Sequence, residues 1–542
     1  MKQKLLILSI LFSVNIYAQE FGTNDFRISD MGDNGATNFF AFFPEVAYSD
    51  IENKYLVVWS ADDNTGTVVD NEFEIYGQFI SDNGIETGVN DFRISVTGTD
   101  GETQLRAEDP HVVYNSTDNE FLVVWRGETS VDNEFEIFGQ IVDANTGNLV
   151  GANFRISDMG NEGDTSFGAF LPRVSYSATS NEYLVIWEGD ESINNKFEIY
   201  GQRLSNSGAE IGVNDFQISQ QLPLADANFD ARGPDLIWNS IENDFLIVWQ
   251  GETSTDDEKE IYGQIYDLDS QSISGSNFRI SDMGPDTNIS FFPIRPRVAY
   301  NATDNEYLVV WNGTDTVISQ FEVYGQLLSS SGSELGSNDF QITAVTATDS
   351  NFDTAFPDVV WNNTNNEYMV IYRADFTLSE EEVFGQKLNA SGTNNSTSFR
   401  LSDMGDDNDS SFKADSPAIA TNNQNAYIIT WYGDDNIPPL VGNENEIFIQ
   451  MYGDSTLSLD DAQITNNIKI YPNPNATSVL TISGLQNIDG VSLDIYDILG
   501  KRVFNNVTIE NNTLNLSNLK SGLYLMKFTG TNLNKIIKLV VN

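Results

Sequence analysis

Four short markers recur in the same order along the chain, seven times over, and a repeat of this length constrains the fold more than any other feature. The segment Phe-(Arg/Gln)-(Ile/Leu)-(Ser/Thr) begins at Phe26, Phe92, Phe154, Phe216, Phe278, Phe340 and Phe399, with spacings of 66, 62, 62, 62, 62 and 59 residues. Apolar runs such as Tyr55-Leu56-Val57-Val58-Trp59 end at Trp59, Trp125, Trp187, Trp249, Trp311, Tyr372 and Trp431. Glu-Ile-Tyr-Gly-Gln or a variant starts at Glu74, Glu136, Glu198, Glu260, Glu322, Glu382 and Glu446. A proline opens the fourth marker, at Pro44, Pro110, Pro172, Pro234, Pro296, Pro357 and Pro417.

Each unit therefore holds four short strand candidates, separated by turn chemistry such as Ser205-Asn206-Ser207-Gly208. Four strands per repeat is the content of one β-propeller blade. The Leu-Val-Val-Trp runs are apolar at consecutive positions, as an inner strand covered on both faces requires. With the proline strand as A, the Trp strand as B, the Gly-Gln strand as C and the Phe-Arg strand as D, six complete units lie between Pro44 and Phe399. Pro417, Trp431 and Gln450 supply A, B and C of a seventh whose missing D strand is available at Phe26. The expected fold is all-β: a seven-bladed β-propeller closed by its own N-terminal strand, followed by a small C-terminal β-sandwich.

Charge and composition narrow the partners. The chain carries 80 Asp+Glu against 27 Lys+Arg, a net −53, and residues 468–542 hold more basic than acidic side chains, so the repeat region carries the whole excess. A surface that negative repels phosphate backbones and anionic lipid, which argues against nucleic acid and direct membrane binding. There is no cysteine and one histidine, His111, so disulfides, thiolate metal sites and any site built on two imidazoles are excluded.

Residues 1–18 pair Lys2 and Lys4 with a short apolar run ending near Ala18, the pattern of a cleavable signal peptide and too short for a membrane span. Residues 19–453 are the repeat domain and 454–467 read as a linker. Pro-x-Val-x-Tyr, Glu-Tyr-Leu-Val-Val-Trp and Glu-Ile-Tyr-Gly-Gln resemble repeats of large exported bacterial proteins taken to be propellers, a likeness that implies a fold and no activity. In 468–542 the opening Tyr471-Pro472-Asn473-Pro474, the turn Tyr496-Asp497-Ile498-Leu499-Gly500-Lys501 and the strand Ser521-Gly522-Leu523-Tyr524-Leu525 resemble the type A C-terminal sorting domain of the type IX secretion system. That resemblance implies the secretion machinery as partner, and an extracellular or outer-membrane surface location with no transmembrane segment.

Alternating strand direction puts the long B-to-C and D-to-A connections on one face, where binding loops gather. Two positions there change from unit to unit, as an asymmetric site requires. The residue after the proline is Glu45, His111, Arg173, Asp235, Arg297, Asp358 or Ala418, and the residue after the strand B aromatic is Ser60, Arg126, Glu188, Gln250, Asn312, Arg373 or Tyr432. Arg126, Arg173, Arg297 and Arg373, with Glu45, Asp235 and Asp358, are the candidate ligand-binding set; guanidinium groups in an acidic protein suit a carboxylated or sulfated glycan. The alternative use of the same arginines is to neutralise neighbouring Asp and Glu. His111 is a weak candidate general base for a lyase, and Asp235 with Asp358 a weak glycosidase pair. No metal ligand set is identified and no cofactor is expected, although acidic loops such as 256–258 and 406–409 have the oxygen chemistry for Ca²⁺. The favoured function is a non-enzymatic binding or adhesion module for glycan or protein; the alternative is an exported polysaccharide-degrading enzyme, lyase or glycosidase.

Overall fold

A computed structural model describes residues 19–453 except positions 34, 65–66, 192, 222–228, 256, 286, 316–319, 344–352, 378–379, 406–408, 425 and 436–439, and, beyond them, 469–471, 473, 479–483, 492–497, 501–504, 513–516, 519–530 and 533–541. The leader, the linker and the loop residues 256 and 406–408 lie outside the described residues. Contacts divide the chain into two units, Met1–Asp454 and Ser455–Asn542.

In the first unit the repeat becomes seven antiparallel four-stranded sheets, each in the order A-B-C-D. Sheet 1 is Ala41–Ser49, Lys54–Ala61, Glu74–Ser81 and Glu86–Arg93; sheet 2 is Ala107–Asn115, Glu120–Glu128, Phe135–Asp143 and Leu149–Arg155. The last sheet takes Ala414–Thr421, Ala426–Gly433 and Glu446–Gly453 from the end of the repeat and its D strand, Gln19–Arg27, from the beginning. Phe26 pairs with Ile449 there, and Ile28 N–H donates to Ile447 O at 2.8 Å. The two ends of the repeat are thus joined within one sheet. Among the described residues there is no helix, and none of the membrane-crossing kind.

Consecutive sheets are held together face to face by the apolar runs. Tyr55 through Trp59 are all fully buried, as are Trp125, Trp187, Trp249, Trp311 and Trp431. Each core cluster spans two sheets: Leu56, Val58 and Phe79 of sheet 1 pack with Val112, Phe121 and Trp125 of sheet 2. Sheet 7 packs on sheet 1 in the same way, Ile428, Ile447 and Ile449 against Val57 and Trp59. A side chain of this size stabilises by about 1.5–3 kcal/mol when fully buried, so the stability of every sheet depends on both neighbours.

Buried glutamates at the start of strand C pin the next connection. Glu136 accepts from Met159 N–H at 2.8 Å and pairs with Arg155 at 2.6 Å, the cross-strand pair that the repeat of Glu and Arg suggests. The connections have the expected asymmetry: 50–53 and 82–85 are short, whereas 62–73 and 94–106 are long and share one face.

The second unit holds a three-stranded sheet (Lys469–Tyr471, Val479–Ser483, Thr513–Asn515) and a four-stranded sheet (Arg502–Phe504, Ser492–Asp497, Gly522–Gly530, Leu533–Val541). Leu480, Ile482 and Leu514 of the first share one core with Leu493, Ile495, Met526, Phe528 and Leu539 of the second.

Candidate functional site

The proline of each strand A sits inside the strand, not at its start. In sheet 1, Phe42 pairs with Ser60 and Glu45 with Val58, so Phe43 and Pro44 together face the single residue Trp59. This is a β-bulge, and the same slip occurs in all seven A strands. Proline suits it because strand A is a sheet edge and needs no N–H there. The residue before each proline has positive φ: Phe43 (54°), Asp109 (53°), Leu171 (49°), Gly233 (58°), Arg295 (54°), Phe356 (50°) and Ser416 (48°). For a side chain other than glycine this conformation costs roughly 1–2 kcal/mol, and its repetition turns seven variable residues toward one another. They, five of the prolines and the candidate residues Glu45, Arg173 and Arg297 line a pocket of about 240 Å³ at the mouth of the ring, on the long-loop face.

Beneath that mouth lie the residues after the prolines. They are largely satisfied by one another. His111 Nδ1 accepts from Val174 N–H at 3.2 Å, Asp235 Oδ2 from Val298 N–H at 2.9 Å and Asp358 Oδ2 from Ile419 N–H at 3.0 Å, so in sheets 2, 4 and 6 this position tethers the next sheet. Arg173 reaches Glu45 at 3.3 Å and Asp235 at 4.0 Å. Burial dominates the electrostatics. It drives the His111 pKa well down, helped by Arg173 and Arg297, and raises those of Glu45 and Asp235. Asp358 is pushed up to about 7 by burial and then by Glu45. A neutral His111 whose Nδ1 is an acceptor carries its proton on Nε2. That nitrogen is a donor.

The candidates from the second variable position lie one tier outward. Arg126 is paired with Glu108, approaches Asp109 at 3.5 Å and lies 5.0 Å from the Phe135 ring. Arg373 is paired with Asp415 at 2.8 Å and Glu381 at 3.2 Å. Arg126, Arg173 and Arg373 therefore all neutralise carboxylates. Arg297 donates to Pro296 O at 3.0 Å and, among the described residues, has no carboxylate within 4.0 Å.

Arg295, absent from the candidate set, sits at the rim. The residue as a whole is exposed, its guanidinium is stacked 3.8 Å over the Phe356 ring and partly desolvated, and it has no ion pair among the described residues. Desolvation, then the charges of Arg297 and Arg373, hold its pKa below the ordinary guanidinium value. Phe43 packs edge-on to Tyr432 across the rim. An anion at Arg295 would offset the crowding of three guanidinium groups. The signal for these residues was present in the sequence, since the position before the proline varies as much as the one after it; what hid it was the bulge. For Ca²⁺, no group of three acidic or histidine side chains able to hold a metal occurs among the described residues.

Comparison with known proteins adds an address. Residues 469–542 match the family model of the secretion system C-terminal sorting domain. A stretch of 90 residues is 34% identical to an endo-acting ulvan lyase of Formosa agariphila, covering 16% of this chain and 17% of the lyase, so the chain spans about a sixth of that relative's length. Among solved structures, the β-propeller domain of the Trilobed protease from Pyrococcus furiosus aligns over 76% of this chain and 93% of its own at 9% identity and TM-score 0.42. The NanB sialidase from Streptococcus pneumoniae aligns over 80% and 71% at 10% identity and TM-score 0.42. An endo-arabinanase from Bacillus licheniformis aligns over 53% and 96% at 14% identity and TM-score 0.32. The C-terminal unit is thus a type IX secretion sorting domain, which marks an exported or cell-surface protein, and it follows an all-β region of repeated propeller-type blades.

Proposed function

We propose that residues 19–453 form a closed seven-bladed β-propeller that binds an acidic glycan at the mouth of its central channel, without turning it over, and that 468–542 form the β-sandwich that directs its export. The observation that carries this reading is Arg295, held at the rim on a strained bulge, stacked on Phe356 and free of a carboxylate partner among the described residues. A carboxylate or sulfate can take the outer edge of that guanidinium while a sugar face lies on the Phe356, Phe43 and Leu171 side chains. The channel below is unsuited to turnover at His111, whose Nδ1 is engaged and whose Nε2 holds the proton.

The test is binding of carboxylated and sulfated oligosaccharides by the secreted protein and by Arg295→Ala. Loss of one charge-assisted hydrogen bond is worth about 1.5–3 kcal/mol, so affinity should fall about tenfold or more. Binding that ignores Arg295, or a preference for a protein ligand on the same surface, would replace the glycan reading. An enzymatic reading is favoured by two observations, the lyase likeness and the carboxyl of Asp358 poised near neutral pH. It requires that the same incubations yield shortened or unsaturated chains and that Asp358→Asn stop them.

A further inference from the structure

The pocket at the mouth is walled on every side, and the wall decides which part of a glycan can enter. Each of the seven sheets contributes to its lining, so no open groove crosses it. Its volume of about 240 Å³ lies below the roughly 300–1,000 Å³ usual for drug-sized ligands, which suits a single sugar unit. The wall has one low point among its lining residues. Six of the residues before the prolines carry a side chain; the seventh is Gly233, and nothing lies within 4 Å of where its Cβ would stand. The next sheet in the ring, tied to this one by Val298 N–H on Asp235 at 2.9 Å, carries Arg295 beside that notch.

Five charged residues line the pocket: Glu45, Asp109, Arg173, Arg295 and Arg297. Glu45 and Arg173 pair at 3.3 Å, and Asp109 has Arg126 at 3.5 Å. Arg295 and Arg297 have no carboxylate within 4.0 Å among the described residues. The acids beneath the pocket are committed to the main chain. Asp235 accepts from Val298 N–H, and Asp358 accepts from Val359 N–H at 2.8 Å and Ile419 N–H at 3.0 Å. Arg297 donates to its own strand, to Pro296 O at 3.0 Å, and keeps other N–H groups to spare. Burial and then the charge of Arg173 hold its pKa below the ordinary guanidinium value, a cost that a bound anion offsets. The two arginines stand two residues apart on strand Pro293–Asn301, on either side of the bulge proline, one at the rim and one below it.

Resting on the reading of the mouth as an acidic-glycan site, we propose that it recognises the end of the chain. The terminal acidic unit enters the pocket with its carboxylate or sulfate on Arg297, the acid group of the second unit meets Arg295, and the remainder leaves over Gly233. An internal stretch does not deliver an acid group to Arg297, because the chain on both sides of it would have to cross the wall and the lining leaves one notch.

The test is calorimetry on the full-length secreted protein with uronate and sulfated saccharides, each series running from a single unit to the polymer; the two series separate carboxylate from sulfate. End recognition predicts one protein bound per chain at every length, with affinity rising from one unit to two and little beyond. Arg297→Gln should weaken every length more than about tenfold and keep the melting temperature, since among the described residues this side chain bonds only its own strand. Gly233→Phe copies Phe43 and Phe356 on the same positive-φ backbone; by closing the notch it should weaken the longer chains more than about tenfold relative to the single unit. The proposal is overturned if the number of proteins bound grows with chain length, if Arg297→Gln binds like the parent, or if Gly233→Phe acts equally on every length. Should Arg295→Ala still weaken binding in those cases, the mouth remains an acidic-glycan site that takes internal stretches. If no saccharide of either series binds, both readings fall.

Discussion

Asp215→Asn should stabilise the protein, and only above acidic pH. Asp215 sits on strand D of sheet 3, where one carboxylate oxygen accepts from Asp158 N–H of the neighbouring connection at 3.0 Å and the other is buried without a partner. Burial, with Glu136, Glu210 and Asp158 adding repulsion, pushes its pKa from 3.8 to about 7. The folded state therefore binds this proton more tightly than the unfolded chain. Stability from it is present below about pH 4 and is lost as pH rises through 7. Unit 2 carries Asn153 at the same place, whose amide accepts from Val96 N–H at 2.8 Å and donates to Ile94 O at 3.1 Å and Gln140 Oε1 at 2.7 Å. Asparagine at 215 keeps an acceptor for Asp158 N–H, with no charge to desolvate. A shift of three units corresponds to about 4 kcal/mol; Asp215 is partly solvated, and screening reduces this to about 1–2 kcal/mol at pH 8. Melting curves of parent and variant at pH 4.5 and pH 8 measure it. A gain of a few degrees at pH 8 and little at pH 4.5 is expected; an equal effect at both, or a loss at pH 8, would refute the reasoning.

The same sign governs the whole molecule. Asp25, Asp91, Asp215, Asp339 and Asp358 are all pushed up to about 7, chiefly by burial, so the parent's melting temperature should fall as pH is raised from 5 to 8. His111→Ala leaves Val174 N–H without its acceptor and should cost about 1–3 kcal/mol in denaturant titrations. His111→Asp, which copies Asp235 and Asp358, should recover most of that. Phe356→Ala removes the ring beneath Arg295 and should weaken acidic-glycan binding about 2–5-fold, as a cation–π contact of about 0.5–1 kcal/mol implies, a smaller loss than for Arg295→Ala.

The strands were legible because the repeat displays both their period and their burial. Tyr55 to Trp59 announces a strand covered on two faces, and Phe26 announces a D strand without a sheet of its own. The face bearing the site was legible too, through the inequality of its loops. The residues at its rim were not. Proline reads as a strand start, yet here it is the second residue of a bulge inside an edge strand, so the residues before it, such as Arg295 and Phe356, join Glu45, Arg173 and Arg297 of the candidate set in lining the mouth. Arg126 and Arg373 stand at variable positions because their carboxylate partners, Glu108 and Asp415, vary with them. The first pair joins neighbouring strands of sheet 2 and the second joins sheets 6 and 7, so neither leaves a local pattern.

Every assignment of face, mouth and channel rests on the ring being closed by strand Gln19–Arg27. Hydrogen–deuterium exchange of the 446–453 segment tests this most directly, because its backbone hydrogen-bonds to Gln19–Arg27 on one side and to Ala426–Gly433 on the other. Protection equal to that of 74–81, its counterpart in sheet 1, and lost on deletion of residues 19–27, is the predicted result. Rapid exchange of 446–453 in the intact protein, or, after the deletion, full protection of the amides that face Gln19–Arg27, would contradict it.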